Sequence, residues 1–349
     1  MDRYLRDLEA IDAFSGVVRI TVGDDERFAG AYGFASRAWR VWNTLDTRFD
    51  TASITKLFTA VATLQQVDAG AFGLDTSVVG YLGLVGTAIS PQVTVRHLLT
   101  HTSGIGDDAD EEAGEAYEEV YRTRPNYAVL ETADFLPQFA HRPPNFAPGE
   151  GCRYNNCGYV LLGLMVERAT GRPYRDVVRD DVFAAAGMAD SGFLRVDRAN
   201  ERLAEGADPI RDDAGAIVGW KRNIYSFPPI GSPDSGADVT AADLDRFLRA
   251  VREGRLLSAE STAAFLAPQV VHDVRGGWTQ HYGLGPWFRV DDDGTLVFLE
   301  KEGANPGVSG LIRHYPARDL TVVMLSNLED GVWDPIRTVH AMVLEGAFD

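Results

Sequence analysis

Strand-forming stretches lie near both ends of this 349-residue chain with helix signals between them, and that layout limits the fold more than any single motif does. Val17–Val22 and Phe28–Phe34 read as two strands joined by a turn at Gly23-Asp24-Asp25. Before them, Tyr4, Leu5, Leu8, Ile11 and Phe14 recur at helical spacing among charges. Toward the other end, Tyr282–Val290, Thr295–Leu299 after a turn at Asp292-Asp293-Gly294, Val308–His314 and Leu320–Leu325 read as strands, and Trp333–Leu344 as a closing helix.

From about Leu74 to Glu205 the spacing predicts helices over Thr94–Leu99, Tyr127–Phe139, Tyr159–Ala169 and Tyr174–Ala186, the last two stopped by Gly171 and Gly187. Gly and Pro gather between Pro228 and Gly236, and Thr240-Ala241-Ala242-Asp243 caps a helix through Phe247 and Val251. The simplest architecture is an α/β (α+β) fold, with one antiparallel sheet built from both termini, helices on its faces and a mostly helical insertion. The expected division is a sheet domain of 1–70 with 230–349, a helical domain of 71–229, and an active site at their interface.

Composition narrows the function. The net charge is −18, from 51 acidic against 33 basic residues, and such a surface repels phosphate backbones and anionic lipid, so nucleic acid is not an expected partner. No apolar run approaches a membrane span, and the amphipathic start is not a secretion signal, so a cytoplasmic protein is expected. Cys152 and Cys157 are expected as buried free thiols, with a local disulfide as the alternative; no second pair completes a zinc site.

Ser53-Ile54-Thr55-Lys56 supplies the first chemical signal, because apolar residues at helical spacing behind it put hydroxyl and amine one turn apart on one face. Serine becomes a useful nucleophile only when a neighbour takes its proton, and a desolvated lysine can do so where arginine cannot. Only Lys56, Lys221 and Lys301 among the 33 basic residues are lysine, so each stands out.

Two further stretches carry polar groups with double readings. Tyr154 and Asn156, just before an apolar helix, read structurally as a loop aromatic and an N-cap, or functionally as a proton relay and a donor to a substrate carbonyl. Lys301 and Gly303 follow Leu296–Leu299; Lys301 would project from the strand end and Gly303 would let substrate backbone lie close to the sheet.

Taken together, Ser-x-x-Lys, Tyr-x-Asn and Lys-x-Gly in this order resemble the serine β-lactamase and penicillin-binding-protein superfamily, nearest its class C branch with its DD-peptidases, D-aminopeptidases and family VIII carboxylesterases. The stretches Val93–Ile105 and Ala169–Met188 resemble it too. The resemblance implies a β-lactamase/DD-peptidase-like fold without metal or cofactor. It implies Ser53 as an acylated nucleophile, Lys56 and Tyr154 sharing acid and base work, Asn156 orienting the acyl side, and Lys301 facing substrate beside Tyr154. The backbone N–H groups of Ser53 and Ala304 would form the oxyanion hole.

Two features bear on substrate. Glu302 stands where the family carries a threonine or small residue, which disfavours anionic substrates unless strand alternation turns it away. Asp107–Glu119 holds eight acidic residues in thirteen, either a solvated loop or an acidic overhang above the pocket. No Gly-x-Ser-x-Gly elbow and no His-Glu-x-x-His is present, and His97 and His101 read as packing or helix-end residues. The expected activity is a carboxylesterase or amidase on small neutral or cationic substrates. A β-lactamase, DD-peptidase or D-aminopeptidase, an acyltransferase, or an inert binding module are the alternatives, and oligomeric state is open.

Overall fold

A computed structural model describes residues 1–110 and 113–348, with eight strands in one antiparallel sheet. They are β1 (Gly16–Val22), β2 (Asp25–Tyr32), β3 (Val270–Arg275), β4 (Trp278–Tyr282), β5 (Trp287–Asp291), β6 (Leu296–Asn305), β7 (Val308–Tyr315) and β8 (Leu320–Ser326). Their order is β2-β1-β8-β7-β6-β5-β4-β3. The pairing of β1 with β8, from Gly16 opposite Ser326 to Val22 opposite Leu320, joins the two ends of the chain.

The helices that matter for the site are α1 (Asp2–Ala10), α2 (Thr55–Asp68), α3 (Val95–Leu99), α4 (Cys157–Thr170), α5 (Ala241–Arg252) and α6 (Trp333–Leu344). Side chains alternate between the two faces of the sheet. On one face Val18, Ile20, Phe298, Leu311, Val322 and Met324 share a core with Leu5 of α1 and Ile336, Val339 and Val343 of α6. On the other, Ile312, Val323 and Leu325 join a larger core with Leu57, Phe58 and Val61 of α2, Phe247 of α5, and Leu161 and Met165 of α4. Every residue of α2 from Thr55 to Leu64 is buried, so this helix is the axis on which sheet and helical segments meet. No helix among the described residues is long and apolar enough to cross a membrane.

Several expected elements change shape. Tyr282–Val290 is two strands, because Gly283, Gly285 and Pro286 interrupt it before Trp287. Tyr127–Phe139 is not one helix: Pro137 cannot sit in a helix interior, and a short helix starts only at Leu136. The middle segment also holds a hairpin of Ala207–Arg211 with Ile217–Arg222. Finally β6 runs on to Asn305, so Lys301 lies within a strand and not at its end.

Candidate active site

Ser53 does not sit on the helix that its spacing to Lys56 suggested. It occupies a tight 3-10 turn, Ala52–Ile54, that leads into α2 at Thr55. Ala52 has φ of 42°, a left-handed backbone that L-residues avoid, and Asp50 Oδ1 accepts its N–H at 2.6 Å. Thr51 N–H and Oγ1 both donate to the Ala237 carbonyl, at 2.9 and 2.7 Å, so the turn is tied down on both sides. Gly303 of β6 lies against the same turn, and a Cβ there would stand 2.2 Å from the Thr51 carbonyl oxygen. The glycine therefore admits the backbone of the Ser53 turn to the strand, where the sequence suggested room for a substrate.

Lys56 is wholly buried, and its Nζ lies 3.1 Å from Ser53 Oγ, 2.6 Å from Asn156 Oδ1 and 2.8 Å from the Asp234 carbonyl oxygen. Asn156, expected to address a substrate carbonyl, turns its amide oxygen to Lys56. Its amide nitrogen donates to Tyr117 Oη at 2.6 Å and Asp107 Oδ2 at 3.4 Å. Asp107 accepts the backbone N–H groups of Asn156 and Cys157 at 2.8 and 2.9 Å, a carboxylate at the N-terminus of α4 where the helix dipole favours it.

Tyr154 stands between two lysine side chains, with Lys301 Nζ 4.7 Å and Lys56 Nζ 5.0 Å from its ring centre. Lys301 is itself sandwiched by Trp287, at 4.8 Å from that ring. The pairing of β5 with β6 stops at Glu300, so the Lys301–Asn305 edge of β6 faces the site. Ser53, Tyr154, Lys301, Gly303 and Ala304 line one open cavity of about 430 Å³, walled by Tyr282, Trp287, His272 and Trp333. Ser53 and Ala304 also border a second, smaller cavity of about 30 Å³ with Asn156, Tyr117, Tyr121, Asp108 and Asp234.

Glu302 leaves β6 on the face opposite Lys301, the face where Glu300 pairs with Arg313 at 2.6 Å, and it reaches the rim of the large cavity beside Trp333. Burial, then the neighbouring Glu300 charge, pushes its carboxyl up to about 7. The acidic run divides. Asp107 and Asp108 turn inward, while Asp110, Glu115 and Glu118 pair with Arg153, Arg142 and Lys221; Glu111 and Glu112 lie outside the described residues. Burial raises Asp108 well above the usual carboxylate range, helped by the charges of Asp107 and Asp234. Cys152 and Cys157 form no disulfide, and Cys157 is buried but Cys152 only partly so.

The sequence reading missed Asp50, Asp108, Tyr117 and Asp234. Asp108 and Tyr117 sat inside the acidic run, read there only for charge, and Asp234 contributes a backbone carbonyl that no side-chain pattern announces.

An antiparallel sheet flanked by helices, with a buried lysine against a serine at the mouth of a cavity, defines a serine hydrolase of the β-lactamase-like superfamily. A family model described as Beta-lactamase matches residues 1–346, and the chain belongs to that family. It is 31% identical over 358 residues to Esterase EstB of Burkholderia gladioli, covering 93% of this chain and 88% of that protein. To Penicillin-binding protein 4* of Bacillus subtilis it is 25% identical, covering 91% and 69%. The crystal structure of a penicillin binding protein from Bacillus halodurans superimposes with a TM-score of 0.89 at 37% identity, covering 97% and 99%.

Proposed function

We propose that the chain is a carboxylesterase or amidase that works through an acyl-enzyme on Ser53 and favours small neutral or cationic substrates. The observation that carries the chemistry is the triple contact of Lys56 Nζ. A neutral amine has two N–H donors and one lone pair; donors given to Asn156 Oδ1 and the Asp234 carbonyl leave the lone pair for the Ser53 hydroxyl. Ser53 Oγ attacks the acyl carbon as its proton passes to Lys56 Nζ, and the carbonyl oxygen becomes an oxyanion between the N–H groups of Ser53 and Ala304. Each such donor contributes about 3 kcal/mol in the transition state. Tyr154 delivers a proton to the leaving group as the bond to the acyl carbon breaks, and water then repeats the steps in reverse roles. Lys301 keeps the Tyr154 phenol electrostatically favourable to anion formation.

Asp234 supports the preference for neutral or cationic acyl groups, since it borders the small cavity beside Ser53 together with Asp108, whose carboxyl burial favours in the neutral form. The esterase relative supports the reaction class. A second reading, β-lactam or DD-peptide turnover, draws on the Lys301 ammonium, which lines the large cavity while Glu302 leaves on the other face. The deciding assay sets a short-chain p-nitrophenyl ester, nitrocefin and a D-alanyl anilide side by side, with Ser53→Ala as blank. Ester cleavage with negligible nitrocefin turnover supports the first reading; efficient nitrocefin hydrolysis supports the second.

A further inference from the structure

We propose that His101 is a positioning residue for Tyr154, holding the phenol over Lys56 by gripping the backbone on either side of it. The proposal rests on the reading of Tyr154 as a proton carrier. His101 is buried, and its carbonyl oxygen accepts the N–H of Arg153 at 2.9 Å while its Nδ1 accepts the N–H of Asn155 at 3.1 Å. The residues before and after Tyr154 are thus held by one histidine. Its ring lies against that of Tyr154, tilted by 34° at 4.6 Å between centres, with Tyr159 at 5.3 Å and Tyr282 at 4.7 Å also in ring contact.

Two costs are accepted at this position. His101 has φ of 57°, a left-handed backbone strained for most residues with a Cβ. Its Nε2 is buried and makes no hydrogen bond among the described residues. Stability alone would favour a glycine for the first and an apolar ring for the second, so neither accounts for histidine. An acceptor at Nδ1 does, and an unprotonated Nδ1 requires a neutral ring. Burial, with Lys301, Lys56 and His272 nearby, holds the imidazole well below its usual range and keeps it neutral. Because Asn155 also separates Tyr154 from Asn156, the same bond sets the two side chains that meet Lys56.

The test compares His101→Asn with His101→Gly on p-nitrophenyl acetate. Both residues tolerate a left-handed backbone and both lose the ring, but only asparagine returns an acceptor oxygen near the position of Nδ1. The Asn variant is expected to keep a kcat at least about tenfold above that of the Gly variant, with KM values within about threefold of each other. Equal kcat in two folded variants overturns the proposal. If the Gly variant does not fold, His101→Asn decides: kcat within about tenfold of wild type supports the role, and a larger loss in a folded protein overturns it. Ser53→Ala in the same assay separates the two levels of argument. Persistent turnover there defeats the acyl-enzyme reading, whereas a dead Ser53→Ala with matching His101 variants defeats only the positioning role.

Discussion

Gly303 and Ser53 meet backbone to backbone: a Cβ added to Gly303 would stand 3.0 Å from the Ser53 nitrogen and 2.2 Å from the Thr51 carbonyl oxygen. Neither atom belongs to a flexible side chain, so the turn would have to move as a unit away from β6. Gly303→Ala is therefore expected to lower kcat by about a hundredfold, since small displacements of reacting groups have large kinetic effects. The loss should appear equally as slow labelling of Ser53 by a fluorophosphonate. A Gly303→Ala protein that labels and turns over at the wild-type rate would show that the turn is not held by this contact.

Lys56→Arg keeps the charge and removes the basicity. A guanidinium does not deprotonate in proteins, and it cannot offer a lone pair to the Ser53 hydroxyl. The buried pocket around Nζ, built from Ser53, Asn156 and Asp234, is also shaped for a compact head group. The expected fall in kcat is about a thousandfold or more. Circular dichroism and thermal melting should accompany the rate assay, and near-normal turnover in a folded variant would remove Lys56 from the role of base.

Asp50 and Asp238 oppose each other in a two-residue strand pairing behind the nucleophile turn, Phe49–Asp50 with Asp238–Val239. Burial lifts Asp50 to about 6, and lifts Asp238 well above its ordinary value with help from the Asp50 charge. Both folded values exceed the unfolded ones, so between roughly pH 4 and 6 the folded state binds more protons. The pair's contribution is then largest at low pH and is lost as pH rises through the folded values. Asp238→Asn keeps an acceptor for the Leu194 N–H and removes one buried charge. Relative to wild type, its melting temperature should rise at pH 8 and change little at pH 4. Parallel pH profiles for the two proteins would refute it.

The residues proposed for the chemistry were more legible in the sequence than the contacts that assemble them. The roles proposed for Ser53, Lys56, Tyr154 and Lys301 rest on side chains, and rarity of lysine made two of them conspicuous. β1, β7 and β8 were readable because their residues are apolar and β-branched, while β3 mixes Val with His272, Asp273 and Arg275 at an exposed sheet edge and gave no alternation. The length of β6 was hidden because Lys301, Glu302 and Gly303 break the apolar run just where the strand borders the site. What holds the site together lies elsewhere: the Asp234 carbonyl reaches Lys56 across 178 residues, and the Ala237 carbonyl reaches Thr51 across 186. Backbone groups have no residue signature, so only folding reveals them.

Charge beside the nucleophile gives the last prediction. Asp108 and Asp234 border the small cavity next to Ser53, and burial makes any cation placed there more strongly attracted than it would be in water. Asp108 Oδ1 accepts the N–H of Ala109 at 2.9 Å and Asp234 Oδ1 accepts from Ser232 Oγ at 2.6 Å, bonds that an asparagine oxygen can also accept. Asp108→Asn and Asp234→Asn should therefore fold with little change in shape, and Asp234→Asn is the one that removes a charge. The informative substrates are two p-nitrophenyl esters that differ only in an ammonium or a methyl group on the acyl chain. Wild type should favour the ammonium ester, and Asp234→Asn should reduce the ratio of the two kcat/KM values by about tenfold, the effect of one partly screened charge, whereas Asp108→Asn, at a carboxyl that burial already favours in its neutral form, should reduce it less. The neutral ester, which gains nothing from either carboxylate, should be cleaved at a nearly constant rate throughout. An unchanged ratio would place the acyl group outside this cavity, and the preference for cationic substrates would then have no structural basis.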